Sequence, residues 1–121
     1  MYQEVGGQAV IDQLVDDFYS IMQTDPMAKE CLATHAGRDL QESATKLKYF
    51  LSGWLGGPQL YLETYGHPRL RMRHAPFRIG PEEARQWLYC MNKALERSTI
   101  APDLQQKLME SFLHVASMLS Q

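Results

Sequence analysis

The chain has little cysteine, no long apolar run and no large excess of charge of either sign. None of its stretches approaches the ~20 apolar residues that a membrane-spanning helix needs. The N-terminal segment MYQEVGGQAV has neither the basic start nor the apolar centre of a secretory signal. We therefore expect no membrane span and a cytoplasmic location. A formal net charge of -2 over 121 residues also argues against a dedicated nucleic-acid-binding protein.

The two cysteines, Cys31 and Cys90, are far apart, and neither has a second cysteine at metal-ligand spacing. A disulfide framework is excluded as the organising principle of the chain. We expect both thiols to be free and to serve as small buried hydrophobic groups.

β-branched aliphatic residues are scarce: four valines and four isoleucines stand against fifteen leucines and seven methionines. Leucine and methionine suit helices, and the sequence contains no alternating apolar and polar run typical of a strand. A chain of 121 residues is long enough to bury one core and too short for two ordinary domains. The sequence predicts an all-α fold in a single domain spanning residues 1–121.

Two amphipathic helices are predicted in the first half. One follows the Gly6-Gly7 pair, and the other begins at Asp39, where Glu42 completes a capping-box pattern, and ends at Gly56. A short helix is expected between them, from Pro26 to about Cys31. The apolar faces of the two long helices are formed by Ile11, Leu14, Phe18 and Ile21, and by Leu40, Ala44, Leu47, Leu51 and Trp54.

Two more amphipathic helices are predicted in the second half, one beginning after Gly80 and the other after Ala101, each with proline in the first turn. Between the two halves, residues 59–80 contain too many prolines and glycines for one long helix. At most a short helix around Leu70 to His74 is expected there. A loop of this length in a small domain is usually functional.

His74 is the first candidate for chemistry in this middle segment, within the sequence RMRHAPF. It is either a loop histidine satisfied by a carbonyl group or a metal ligand. A zinc site is a poor alternative, because no other ligands stand at suitable spacing. A cofactor that brings its own equatorial ligands would need only this one imidazole.

Four arginines surround this histidine: Arg69, Arg71, Arg73 and Arg78. They form the only dense basic cluster in the chain, either a solvated surface or a site for an anion such as the carboxylates of a cofactor. Nucleic acid is disfavoured because the rest of the chain is acidic.

Tyr19, His35 and Trp87 are polar aromatic residues on or beside apolar faces. Each is either a core residue or, if the three converge, part of a pocket rich in hydrogen-bond donors.

The segment YGHPRLRMRHAPFRI resembles the group II truncated haemoglobins. The resemblance includes Gly56-Gly57-Pro58 and Tyr61 before the segment, and Trp87 thirteen residues after His74. The Gly6-Gly7 pair matches the N-terminal glycines of that family. The resemblance covers nearly the whole chain. It implies the shortened globin fold, in which two antiparallel helix pairs form a 2-on-2 sandwich around a haem, with an irregular loop before the proximal histidine.

The resemblance also implies a role for each candidate residue. His74 matches the proximal ligand of a haem b iron, and the distal hydrogen-bond donors are Tyr19, Trp87 and His35, the last standing where many relatives have tyrosine. A further hypothesis is that His35 or Tyr19 binds the iron when no other ligand is present. The remaining matches are Ser43 and Leu47 facing the bound ligand, Arg73, Lys46 and Tyr61 beside the propionates, and Phe77 and Phe50 packed against the porphyrin.

The expected function is binding of O2, NO, CO or peroxide at a five-coordinate iron. Redox chemistry of NO or peroxide, with an unidentified reductase, is favoured over bulk O2 transport, because a strongly hydrogen-bonded pocket releases O2 slowly. The alternatives are a gas-sensing or O2-storage protein without turnover, and a haem-free helical module that binds an anion or a protein. The chain is expected to be a monomer or a weak homodimer.

Overall fold

The computed structural model describes residues 1–66 and 80–119, and within those ranges it contains helices and their connections but no strand. The prediction of an all-α fold is confirmed. The helices are α1 (Tyr2–Val5), α2 (Gly7–Thr24), α3 (Lys29–Ala33), α4 (Leu40–Trp54), α5 (Leu60–Tyr65), α6 (Pro81–Arg97) and α7 (Pro102–Leu119), and a 3₁₀ turn, Pro26–Ala28, precedes α3. None of the helices in these ranges is long and apolar enough to cross a membrane.

The long helices begin where the sequence predicts. Gly6 separates α1 from α2 with a φ of 118°, a conformation that residues with a Cβ rarely adopt. The carboxylates of Asp25 and Asp39 accept hydrogen bonds from the N–H groups of Met27 (3.0 Å) and Gln41 (2.9 Å), as helix-capping side chains do. Pro81 and Pro102 occupy the first position of α6 and α7.

The capping box predicted at the start of α4 is only half present. Asp39 caps the helix, but the Glu42 carboxylate pairs with the ammonium group of Lys46 at 3.4 Å, one turn further along. A lysine four residues after a glutamate commonly forms an ion pair with it along a helix.

Helix α5 was not predicted, because the prolines and glycines of this region indicated an irregular segment. Gly56 and Pro58 end α4, and α5 then forms over six residues with Tyr61 and Tyr65 one turn apart, their ring centroids 5.0 Å from each other. Contact between side chains at this spacing stabilises a short helix. The short helix expected around Leu70 to His74 lies outside the described residues.

Helix α2 lies at the centre of the fold and packs against both α4 and α6. Helix α7 packs on α6, α5 packs on α4, and α3 packs on α6. The largest fully buried side chains come mainly from α2 and α6, and they include Phe18, Met22, Met91 and Leu95. This packing brings Tyr19 of α2, the end of α3 and Trp87 of α6 into one region of the molecule.

Candidate functional site

Tyr19 is buried at the core side of α2, with 8% of its surface exposed. Its ring contacts Phe18 edge-on, with the centroids 5.0 Å apart. Burial raises the pKa of the Tyr19 hydroxyl, and the neighbouring Cys31 thiol adds to the effect. The hydroxyl therefore keeps its proton near neutral pH. No described residue forms a hydrogen bond with it, so it can donate to a ligand.

Trp87, on α6, is half-buried and packs on the other side of Phe18, with a centroid distance of 5.0 Å. The indole also packs against Phe112 of α7, with a centroid distance of 5.5 Å. Among residues 1–66 and 80–119, no group accepts a hydrogen bond from the indole N–H. Phe18 thus lies between two polar aromatic side chains that each have a donor to offer.

His35 follows α3 and lies against Tyr19, with the two rings perpendicular and their centroids 5.8 Å apart. Phe18, Tyr19, His35 and Trp87 therefore form one aromatic cluster. The three residues that the sequence singles out as polar aromatics converge in it, although they come from two helices and a loop.

Two contacts of the His35 ring involve its Nδ1 atom. Nδ1 lies 3.1 Å from the Cys31 carbonyl oxygen and 3.2 Å from the Thr34 hydroxyl, which itself donates to the same carbonyl at 2.6 Å. The carbonyl can only accept, and the Thr34 proton is already used, so Nδ1 is the donor.

Helix α4 has an unusual burial pattern. Every side chain from Ser43 to Phe50, with Lys46 and Leu47 between them, is half-buried, and only Leu51 of the predicted apolar face is fully buried. A helix packed on a complete core has a buried face and an exposed face. The part of α4 that carries Leu47 and Phe50 is an apolar surface that described residues cover only partly.

The rim of this surface is polar. Lys46 reaches the Tyr65 ring, with its ammonium nitrogen 5.3 Å from the centroid, and Tyr61 packs edge-on against Phe50 at 6.3 Å. An apolar wall with a cation and phenols at its edge fits a flat hydrophobic group that has anionic substituents, as haem does. The residues present therefore fit the cofactor that the sequence implies.

Three residues assigned to the haem lie outside the described residues: His74, Arg73 and Phe77. The same holds for Arg69, Arg71 and Arg78 of the basic cluster. Their roles remain predictions from the sequence.

Sequence reasoning missed Gln86, which is buried on α6 with 4% of its surface exposed. Its amide oxygen accepts a hydrogen bond from the Cys31 N–H at 2.8 Å, and so ties α3 to the helix that carries Trp87. A signal was present, because Gln86 shares a helical stripe with Cys90 and Ala94, both fully buried.

Both cysteines are free and buried, as expected. Burial raises the pKa of the Cys31 thiol to about 12, with smaller contributions from Cys90 and Glu83. Burial likewise raises the pKa of the Cys90 thiol to about 11, and Asp25 adds to the effect. Since the thiolate is the reactive form, these groups are poorly reactive in the folded protein.

We expect both thiols to react with a disulfide reagent such as DTNB at least about tenfold more slowly in the folded protein than in urea, because each unit of raised pKa lowers the thiolate fraction about tenfold. The absorbance of the coloured product at pH 8 measures the rate of the thiol reaction. The Cys31→Ser and Cys90→Ala variants show which cysteine reacts. Equal rates in the folded and unfolded protein would show that the thiols are accessible.

Comparison with known proteins gives consistent matches over most of the chain. The model of the bacterial-like globin family matches residues 1–120. A group 2 truncated hemoglobin of Bacillus subtilis, YjbI, is 41% identical over 105 residues, which cover 87% of this chain and 76% of that protein.

Solved structures give the same result for the fold. The group II 2-on-2 hemoglobin of Agrobacterium tumefaciens superposes with a TM-score of 0.94 at 36% identity, covering 99% of this chain and 92% of that one. The cold-adapted truncated hemoglobin of Pseudoalteromonas haloplanktis superposes with a TM-score of 0.92 at 41% identity, covering 99% and 96%. The predicted 2-on-2 helical arrangement is confirmed.

Proposed function

Because the chain belongs to the bacterial-like globin family, as a group II truncated haemoglobin, we propose that it is a haem b protein that carries out redox chemistry on NO or peroxide rather than bulk O2 transport. Members of this family bind haem and, through it, diatomic ligands. His74 is the iron ligand in this proposal. The observation that supports the reaction class is the aromatic cluster, which gathers two buried or half-buried donors and one imidazole.

When bound, the haem supplies an iron coordination position at which a ligand becomes polarised, with negative charge on its outer atom. The Tyr19 O–H and the Trp87 N–H serve as hydrogen-bond donors to that atom. A net hydrogen bond contributes about 0.5–1.5 kcal/mol, so each donor slows ligand release by up to about tenfold. Slow release suits a reaction better than it suits delivery of O2.

Residues of α4 and α5 hold the cofactor in this proposal. Leu47 and Phe50 pack against the porphyrin, together with Phe77, and Ser43 faces the ligand. The propionates are bound by Lys46, Tyr61 and Arg73, because a cation or a phenol at the rim stabilises a carboxylate.

The remaining parts of the proposal concern the surroundings of the protein. A reductase returns the iron to the ferrous state after each turnover. The protein acts in the cytoplasm, as a monomer or a weak homodimer, and the whole chain forms one domain.

Rapid mixing tests this function. The O2-loaded ferrous protein is mixed with NO, and the ferric protein with hydrogen peroxide, and the haem spectrum is followed. We expect fast conversion in at least one of the two reactions. A protein that reacts with neither, and only binds and releases O2, is a storage or sensing protein, which would contradict the proposal.

The role of Trp87 is tested in the same instrument. Trp87→Phe keeps a ring against Phe18 and Phe112 but removes the N–H, so we expect O2 to dissociate about tenfold faster. Trp54→Phe is the matched control, since Trp54 stacks on the same Phe112 ring at 5.0 Å from outside the aromatic cluster. An O2 dissociation rate unchanged in Trp87→Phe would remove Trp87 from the site.

A further inference from the structure

Ser52 is a polar residue on the buried side of α4. Its surface is 0% exposed, and the neighbouring Leu51 and Leu55 are buried as well. Alanine at this position would be a better helix former and would avoid the cost of burying a hydroxyl group. A buried hydroxyl group in an apolar face therefore indicates that its hydrogen bond has a use of its own.

Ser52 is bonded to two consecutive residues of the connection that follows α4. Its carbonyl oxygen accepts from the Gly57 N–H at 2.8 Å, and its hydroxyl group donates to the Pro58 carbonyl oxygen at 2.7 Å. The first bond is made by the backbone and belongs to a common type of helix end, for which Gly56 supplies the positive φ of 91°. The second bond depends on the hydroxyl group of Ser52.

The carbonyl group of Pro58 also marks the start of α5. The same oxygen accepts from the N–H of Leu60, the first residue of α5, at 2.9 Å. Helix α5 has no fully buried residue, and no side-chain bond caps its N-terminus. The amide of Gln59 also donates to the Gly53 carbonyl at 3.2 Å, but this bond is exposed to water. The hydroxyl group of Ser52 is thus a buried side-chain link between α4 and the start of α5.

Helix α5 carries two phenol rings at the rim of the apolar surface of α4. The Tyr61 ring packs edge-on against Phe50 at 6.3 Å, and the centroid of the Tyr65 ring lies 5.3 Å from the ammonium nitrogen of Lys46. A displacement of α5 along α4 would move both rings relative to Phe50 and Lys46. The position of α5 therefore determines the shape of this rim.

We propose that Ser52 is a positioning residue of the cofactor site: its buried hydrogen bond to Pro58 holds α5 against α4 and thereby slows the loss of haem. This inference rests on the proposed function, in which residues of α4 and α5 hold the cofactor. The role concerns retention of the cofactor. The hydrogen bonds to the gas ligand come from α2 and α6 in the proposed function, and they do not depend on Ser52.

Hydrogen exchange of the backbone amides in the haem-loaded protein measures directly how firmly α5 is held. Ser52→Ala removes the hydroxyl group and keeps a good helix former in α4. The reporters are the N–H groups of Glu63 and Gly66, which bond to the carbonyl groups of Gln59 and Leu62. We expect these amides to exchange about tenfold faster in the variant, the size of one net hydrogen bond.

Ser98→Ala is the matched control for the loss of a serine hydroxyl group. The Ser98 hydroxyl donates to the Leu95 carbonyl oxygen at 2.6 Å, in the connection between α6 and α7. This variant loses a bond of the same kind at another helix end, and it should leave the exchange of the α5 amides unchanged. Equal exchange of these amides in Ser98→Ala and Ser52→Ala overturns the proposal.

The rate of haem loss is the second measurement. The ferric haem-loaded protein is mixed with an excess of apomyoglobin, which captures released haem, and the haem spectrum is followed. We expect Ser52→Ala to lose haem about tenfold faster than the unmodified protein, and Ser98→Ala to lose it at the unmodified rate. The O2 dissociation rate of the ferrous protein should be unchanged in both variants. Haem loss that is no faster in Ser52→Ala than in Ser98→Ala contradicts the proposal.

Ser52→Thr separates the hydrogen bond from overall stability. Threonine keeps a hydroxyl group at this position but adds a methyl group at a fully buried site, so this variant should unfold at a lower urea concentration. We nevertheless expect its α5 exchange and its haem loss to lie closer to those of the unmodified protein than to those of Ser52→Ala. If Ser52→Thr loses haem as fast as Ser52→Ala, overall stability controls haem loss and the proposal is wrong.

The exchange measurement also distinguishes failure of this inference from failure of the proposed function. If the unmodified protein takes up no haem, the proposed function fails. The exchange of the α5 amides in the haem-free Ser52→Ala and Ser98→Ala variants then still shows whether Ser52 holds α5 on α4.

Discussion

Replacement of His74 by alanine is expected to abolish haem binding and, with it, the Soret absorption band. One imidazole is the only protein ligand that a five-coordinate haem iron has, so its loss leaves the porphyrin held by packing and propionate contacts alone. Added imidazole should restore the band, because the free ligand can occupy the space that the side chain vacates. Titration of the purified variant with hemin, with and without imidazole, measures both effects.

His114→Ala is the control for the loss of a histidine. His114 is exposed on α7, and its replacement should leave hemin binding unchanged. A His74→Ala protein that keeps its full Soret band without imidazole would show that another residue binds the iron. Failure of the unmodified chain to take up hemin would leave only the haem-free alternative.

Replacement of Phe18 by alanine is expected to lower the free energy of unfolding by about 3–5 kcal/mol, the usual cost of removing a fully buried phenylalanine. Phe18 is fully buried and touches both Tyr19 and Trp87. The cavity would leave both rings without their common support. Urea unfolding at fixed haem occupancy measures the change, since bound haem itself adds to stability.

Leu113→Ala serves for comparison because Leu113 is 57% exposed. Its loss should change the free energy of unfolding by less than about 0.5 kcal/mol. If Phe18→Ala were as stable as Leu113→Ala, the packing of α2 against α6 would not depend on this ring. Phe18→Leu, which keeps most of the volume, should unfold more readily than the unmodified protein but less readily than Phe18→Ala.

The helix boundaries could be predicted because their signals are local. A glycine with positive φ at Gly6, the capping carboxylates of Asp25 and Asp39, and proline at the first position of α6 and α7 each act within one turn of the chain. The apolar spacing along α2 and α6 then identifies the faces that pack together.

What the sequence did not predict depends on contacts between segments that are distant along the chain, or on how completely a face is covered. Helix α5 has no fully buried residue, so apolar periodicity gave no signal for it. Most of the predicted apolar face of α4 is half-buried rather than buried. Apolar periodicity identifies such a face but does not predict how completely it is covered.

The candidate site, too, could be predicted only in part. Tyr19, His35 and Trp87 could be singled out as polar groups in apolar surroundings, and the structure brings them into one aromatic cluster. The hydrogen bond between the Gln86 side chain and the Cys31 N–H could not be predicted, since the two residues are 55 positions apart in the sequence.

Phe18 links the interior of the molecule to the two donors, and this has a consequence for adaptation to temperature. A lineage whose core becomes less rigid, so that the protein remains active in the cold, would also let Tyr19 and Trp87 move. Its gas ligand would then dissociate faster. Rigidifying substitutions in a warm habitat would lengthen ligand residence. Gas kinetics and heat tolerance in such a molecule would therefore evolve together rather than as separate traits.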